Sequence, residues 1–365
     1  MTVSAKIHAG ALRKMVIEIS GRKVGPGFPV FFIAEAGVNH NGSTTLAREL
    51  IDAARDAGAD AVKFQSFKTE NIITEKAPKS TYHEETTGSS ETQSWFDLLK
   101  TQEMSAEMHR ELIDYCKQQD ILFMSTPYDA ESLDLLIALD VPAIKIASTD
   151  TTNIPFLRKV AAKKVPTILS TAMCNMDEVA AAHRVFEEIN HGQVAVLQCT
   201  GNYPAKLENT DLRVMETYRR KFSCPVGYSD HTMEDINPVA ATALGANIYE
   251  KHFTLDRGLP GPDHRMSLEP AELADTIRKV RMTEMALGHD EKTVHDEEVE
   301  NRTKLRKSLV TLAPVSAGDV FTAEMLAVKR PATGLKPALL ETIIGKKARV
   351  DIPADTPLES NMIDD

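Results

Sequence analysis

Eight short apolar runs, most of them followed by an amphipathic helical stretch, dominate the sequence and leave few folds open to it. The runs are VFFIAEAG from Val30, DAVKFQSF from Asp60, ILFMSTPY from Ile121, AIKIAST from Ala143, PTILSTAM from Pro166, VAVLQCTGNYP from Val194, CPVGYSDHT from Cys224 and NIYEKHFT from Asn247. Between them lie stretches such as TTLARELIDAARDAGA and MDEVAAAHRVFEEIN, where apolar residues recur at three and four. Strands alternating with helices predict an α/β protein with a parallel sheet, and eight such units predict closure into a (β/α)8 barrel. A doubly wound open sheet, the competing fold, would be marked by a GxGxxG turn after the first strand, and none is present.

In such a barrel the site is built at the carboxyl ends of the strands. Those ends are polar throughout. Strand by strand they carry Glu35 with Asn39 and His40, Lys63 and Gln65, Ser125 and Thr126, Lys145 and Ser148, Ser170 and Thr171, Thr200, Asn202 and Tyr203, Ser229, Asp230 and His231, and Glu250 and His252. Lys63 and Lys145 alternate with apolar neighbours, so both point into a space where burying an ammonium is costly unless an anion meets it. The last two strands each finish on an imidazole. At equivalent heights on neighbouring strands, His231 and His252 are placed to share one divalent cation, with Glu35 nearby and positions left open for water and substrate.

The chain carries 53 acidic against 42 basic residues, a formal charge of −11. That balance argues against nucleic acid or an anionic membrane as partner, since both demand a basic surface. An anionic small substrate then needs a local cluster of lysine, arginine or metal. The four cysteines, Cys116, Cys174, Cys199 and Cys224, have no CxxC spacing, which points to a reducing cytoplasm. No run reaches the ~18 apolar residues of a membrane span, and the first residues have no apolar core of signal-peptide length. A soluble, cytoplasmic protein is expected.

The remaining segments divide the chain. Residues 1–29, with MVIEISGRKVGPG reading as a hairpin, are expected to cap the amino-terminal mouth of a barrel spanning 30–288. The polar insertion from Ser66 to Met104 is too long for an ordinary loop and is expected to form a lid carrying Trp95, the only tryptophan. An acidic linker, 289–305, precedes a region rich in short strands, Pro and Gly, which predicts a small mostly-β domain over 306–365.

Taken in order, the segments IAEAGVNHNGS, AGADAVKFQSFK, STPYD, VPAIKI, QCTGNYP, GYSDHT, EKHFTLDR, GPDHRMSLEP and VKRPATG resemble the sialic acid synthase family over nearly the whole chain. The resemblance implies condensation of phosphoenolpyruvate with an N-acetylated aminosugar, with an antifreeze-like (SAF, β-clip) terminal domain and a domain-swapped homodimer. It implies His231 and His252 as ligands of manganese, or of magnesium or cobalt. It assigns Lys63, Thr126, Lys145, Ser148, Ser170 and Ser229 to phosphoenolpyruvate, and Glu35 to the reacting centre. Gln65, Tyr203 and Asp263 then contact the sugar, and Arg330 its acetamido group from the partner chain. The implied product is N-acetylneuraminate from N-acetylmannosamine. The alternative is N,N'-diacetyllegionaminate from 2,4-diacetamido-2,4,6-trideoxymannose, with pseudaminic acid synthesis and an inert carbohydrate-binding role ranking below both.

Three departures from the family pattern bear on the acceptor. Thr149 stands where a glycine is usual between Ser148 and Asp150, Ala172 replaces the glycine of STGM, and RPATG replaces RPGTG. Thr149 and Ala172 add bulk beside the expected pocket, while Asp150 keeps a carboxylate that either contacts the sugar or sits in a structural ion pair.

Overall fold

The computed structural model describes residues 15–89 and 93–364. A first compact unit runs to Gly288 and a second from His289 to Asp365. A two-stranded hairpin, β1 (Ile17–Ile19) and β2 (Arg22–Val24), leads into the first. Ser20 and Gly21 between them both have positive φ, as a two-residue type I′ turn requires.

Eight parallel strands follow: β3 (Phe31–Gly37), β4 (Ala61–Ser66), β5 (Leu122–Pro127), β6 (Ile144–Ile146), β7 (Thr167–Ser170), β8 (Val194–Cys199), β9 (Val226–Asp230) and β10 (Ile248–His252). They close in sequence order, β10 pairing with β3, so the predicted barrel is the fold. The helices between them start and stop where the sequence signals it. In Thr44–Ala57 the Ser43 hydroxyl accepts from the Leu46 N–H, and Gly58 ends the helix at φ 85°.

Strand alternation sorts the core into two apolar sets. Phe32, Phe64, Phe123, Leu169, Tyr228 and Tyr249 face outward and pack beneath the helices. Phe31, Ile33, Met124, Ile168, Leu197 and Ile248 face inward and pack with Ile17, Ile19 and Val24 of the hairpin. The hairpin therefore fills the amino-terminal end of the lumen; the part of the expected cap before Met15 lies outside the described residues. Asp60 fastens this end, its carboxylate accepting from Arg22, from Arg281 of the helix Pro270–Leu287 and from the Phe32 N–H at 2.7 to 2.9 Å.

At Gly227 the lumen has no room for a side chain. A Cβ there would collide with the Ile248 carbonyl oxygen and lie 2.8 Å from Leu197 Cδ2. Gly227→Ala is expected to destabilise the barrel by roughly 3 kcal/mol, the upper end for overpacking. Thermal denaturation followed by circular dichroism checks this, and an unchanged Tm contradicts it.

The insertion after β4 holds three short helices, Thr69–Ile72, Thr81–Thr87 and Trp95–Gln102. Their apolar residues join Val38, Phe67 and Tyr128 in a cluster of their own at the carboxyl ends of the strands, with Leu99 buried and Trp95 at its margin.

In the second unit β11 (Ser308–Thr311) pairs antiparallel with β12 (Leu326–Lys329), and turns, short 3-10 segments and isolated bridges complete the domain. Leu309, Val315, Phe321, Ile352 and Leu358 form its own core. The helix Asp296–Leu305 belongs to this unit and buries none of its residues.

Candidate active site

Above the apolar inner layers the same inward positions turn polar. Glu35, Lys63, Lys145 and Glu250 are each 2 to 3% exposed and form one ion-paired ring. Lys145 Nζ lies 2.7 Å from Ser170 Oγ and 3.3 Å from Glu250 Oε1. Lys63 pairs with Glu35, lies 3.7 Å from Glu250 Oε2 and donates to Thr126 Oγ1 at 3.2 Å. Ser229 Oγ donates to Glu250 at 2.9 Å. The anionic partners that the two buried lysines call for are supplied within the chain by the carboxylates of Glu35 and Glu250. Glu250 had been placed at a strand end without a role; it lies two residues before His252, so strand period alone puts both on the inner face.

Burial and neighbouring charge act unequally round the ring. Burial alone would push Glu250 up, but Lys145 and Lys63 outweigh it and hold the carboxyl down at about 2. Burial raises Glu35 and Glu250 repels its charge, and Lys63 only partly offsets both. Burial likewise lowers Lys145 in spite of Glu250. Glu250 is the firmly anionic member, while burial disfavours the charged forms of both Glu35 and Lys145; an anionic ligand drawing on the two lysines would compete with the two carboxylates for them.

Beside this ring stand the two imidazoles, with ring centroids 5.5 Å apart. His231 Nδ1 faces the Thr200 carbonyl oxygen at 2.8 Å, so Nδ1 carries the proton and Nε2 presents its lone pair. His252 Nδ1 is buried without a hydrogen-bond partner, 3.9 Å from Asp263 Oδ2. Burial holds His231 at about 4 and His252 well below its ordinary value, so both rings are neutral near pH 7. Neutral imidazoles, one oriented by a carbonyl and one with an orphaned nitrogen, are the donors a divalent cation takes. The two residues fit the group; among the described residues no three of His, Cys, Asp or Glu gather to enclose a metal. Cys199 Sγ lies 3.6 Å from His231 Nδ1, and burial pushes its thiol up to about 12.

Tyr203 stacks on His231 at 4.2 Å and meets His252 edge-on at 6.0 Å. Asp263, Gln65 and Glu35 converge on Gly37, whose φ is +54°; a Cβ there would lie 3.3 to 3.4 Å from a polar atom of each. Burial and the charge of Glu35 push Asp263 up to about 7. Gln65, Tyr203, His252 and Asp263 open into a cavity of about 530 Å³ that is also lined by Thr149, Asp150, Asn153, Tyr128 and residues of the insertion, His83 and Trp95 among them. Asp150 lines the cavity, accepts from Asn153 at 2.9 Å and makes no ion pair among the described residues. Ala172 is buried and its N–H donates to Ser148 Oγ at 2.9 Å, which puts this departure behind Ser148 and the other, Thr149, in the cavity. Arg330 is exposed in the second unit.

Other strand-end polar residues face away from the lumen. Asp230 pairs with Lys251 at 2.8 Å and accepts from Tyr249 at 2.6 Å. Ser125 bonds Ser66 and Thr171 bonds Tyr218, both on the helix side. Sequence reasoning passed over His83, Tyr128 and Asn153 and placed Trp95 only in the insertion, since only the fold of the insertion and of the loops after β5 and β6 carries these residues to the cavity.

His40 and His264 brace the loops after β3 and β10. His40 Nδ1 accepts from the Gly42 N–H at 3.0 Å, and His264 bonds Thr254 at 2.6 Å and Asn41 at 3.3 Å. Burial holds both imidazoles at about 4, against about 6.5 in an unfolded chain. Their contribution to stability is complete above pH 6.5 and is lost as pH falls toward 4, because the unfolded chain binds the protons first. Tm is expected to fall over that window, and to fall less in a His40→Gln/His264→Gln variant; a Tm flat from pH 7 to 4.5 contradicts this.

Residues 50–292 match the model of the NeuB family, and residues 306–364 match the SAF domain. The chain is 42% identical to the N,N'-diacetyllegionaminic acid synthase of Campylobacter jejuni, covering 88% of this chain and 97% of that one. It is 36% identical to the N-acetylneuraminate-9-phosphate synthase of Homo sapiens, covering 94% and 95%. The solved structure of the spore coat polysaccharide biosynthesis protein SpsE from Bacillus subtilis is similar at 36% identity and a TM-score of 0.65, covering 95% of this chain and 99% of that one.

Proposed function

The chain belongs to the NeuB family of nonulosonic acid synthases, and from that premise we propose that it condenses phosphoenolpyruvate with 2,4-diacetamido-2,4,6-trideoxymannose to give N,N'-diacetyllegionaminate and phosphate. The observation that carries the reaction type is the buried ring of two lysines and two carboxylates, Glu250 firmly anionic among them, beside two neutral imidazoles. Carbon three of phosphoenolpyruvate attacks the sugar aldehyde and forms the new C–C bond. Water adds at carbon two, and the C–O bond to phosphate breaks.

Lys63 and Lys145, with Thr126, Ser170 and Ser229, bind and orient the trianionic substrate by charge-assisted hydrogen bonds. Ser148 is the further hydroxyl of this set. Glu35, whose carboxyl burial inclines toward the protonated form, takes or returns the proton of the adding water. Gln65, Tyr203, Asp150 and Asp263 position the acceptor. A divalent cation held by His231 and His252, manganese in the first instance, supplies a Lewis acid at the aldehyde oxygen when bound. The domain-swapped homodimer, the contact of Arg330 with the acetamido group and a cytoplasmic location belong to the same proposal.

Two observations favour the diacetamido acceptor over N-acetylmannosamine. Val38, Phe67, Ile72, Ile73 and Leu99 make much of the cavity lining apolar, which suits a six-deoxy, acetylated chain better than the hydroxyl-rich one of N-acetylmannosamine, and among the described residues no lysine or arginine lines it to meet a phosphorylated sugar. The identity to the legionaminic acid synthase of Campylobacter jejuni also exceeds that to the human neuraminate-9-phosphate enzyme. Phosphate release from phosphoenolpyruvate with manganese, measured with each sugar under identical conditions, tests the reading. A higher kcat/KM for the diacetamido sugar is expected; a preference for N-acetylmannosamine or its 6-phosphate would replace this acceptor.

A further inference from the structure

The 530 Å³ cavity has two kinds of wall. Gln65, Tyr203, His252 and Asp263 come from the strand ends and the loops beside the imidazoles, whereas Ile72, Ile73, Leu99, His83 and Trp95 come from the insertion. An aldehyde that reacts beside His252 must enter with its carbonyl toward the first set. The rest of its carbon chain is then directed toward the second. There Trp95 is half-buried and stacks face to face on His83, with centroids 4.3 Å apart and planes 17° from parallel. Burial keeps the His83 imidazole below its ordinary value, so the stack carries no charge near pH 7.

We infer that Trp95, braced by His83, is the specificity-determining wall for the end of the acceptor remote from its aldehyde, and that it selects a deoxygenated, acylated terminus. This rests on the reading given under Proposed function. An indole face packed among isoleucine and leucine gains from contact with a methyl group and with the methyl of an acetamido group. A hydroxyl or phosphate brought to the same wall loses its water and meets no cationic side chain among the lining residues.

Because Trp95 is the only tryptophan, its emission reports this contact alone. Titrating the diacetamido sugar into the full-length protein without phosphoenolpyruvate is expected to shift that emission. Phosphoenolpyruvate alone is expected to leave it in place. An emission unmoved at saturating sugar would overturn the assignment. In kinetics, Trp95→Ala is expected to raise KM for the diacetamido sugar roughly ten- to hundredfold, the range for losing a well-packed apolar contact, while KM for phosphoenolpyruvate stays within about threefold. N-acetylmannosamine should lose far less. Trp95→Phe should restore most of the selectivity, and His83→Ala, which leaves the indole but removes its brace, should lose part of it; a melting curve of each variant confirms folding. Equal losses for the two sugars would overturn the selective role. The functional reading fails separately: wild-type preference for N-acetylmannosamine breaks that reading, whereas a diacetamido preference that survives intact in Trp95→Ala overturns only the part given to Trp95.

Discussion

Lys145→Met is expected to lower kcat/KM for phosphoenolpyruvate by about 10³-fold or more, the largest kinetic effect of any single change in the lysine ring. Its ammonium is buried, 2.7 Å from Ser170 Oγ and 3.3 Å from Glu250 Oε1, so its loss removes an anion-binding charge where water cannot substitute. Breaking a buried ion pair costs about 3–5 kcal/mol, which spans a factor of 10² to 10⁴. Part of that cost is structural, since Glu250 keeps only Lys63, at 3.7 Å, and Ser229 as partners. The double variant Lys145→Met/Glu250→Gln separates the two contributions. It should recover much of the lost Tm, because the uncompensated charge is gone, yet remain inactive, because the substrate's charge is still unmet. Recovery of activity together with Tm would show that Lys145 acts through stability alone.

His252→Ala is expected to abolish divalent-cation-dependent turnover, with a loss on the order of 10³-fold or more, while the barrel stays folded. Folding should survive because the substitution removes a nitrogen that has no hydrogen-bond partner in the protein. His231→Ala should lose activity to a similar degree; there the Thr200 carbonyl also loses its donor, so a small drop in Tm accompanies it. Binding of Mn²⁺ followed by electron paramagnetic resonance gives a readout independent of turnover, and both variants should bind it at least tenfold more weakly. Full activity in both variants after chelation would remove the cation from the proposal.

Much of the barrel was written in the sequence as period. Lys63 and Gln65, Ser229 and His231, and Glu250 and His252 are each two apart, so alternation alone puts each pair on one face. The same rule, applied one residue out of step, explains why Asp230, Lys251, Ser125 and Thr171 leave the lumen. Pairing was harder to read. Whether Lys145 meets Glu250 or a ligand depends on which strands are neighbours across the lumen, and period says nothing about that. The cavity was harder still. His83 and Trp95 lie 12 positions apart in a polar insertion without a dominant period, and only its three short helices bring the rings together.

The closed lower mouth bears on the order of events. Ile17, Ile19 and Val24 fill the lumen from below, the lysine ring lies one inward layer beneath Gln65 and His252, and the acceptor cavity begins at that upper layer. On the proposed assignment of ligands, an acceptor that binds first covers the lysine ring, so turnover needs the enol phosphate to arrive before it. The acceptor then acts as the stopper that keeps the enol phosphate from escaping before it has reacted.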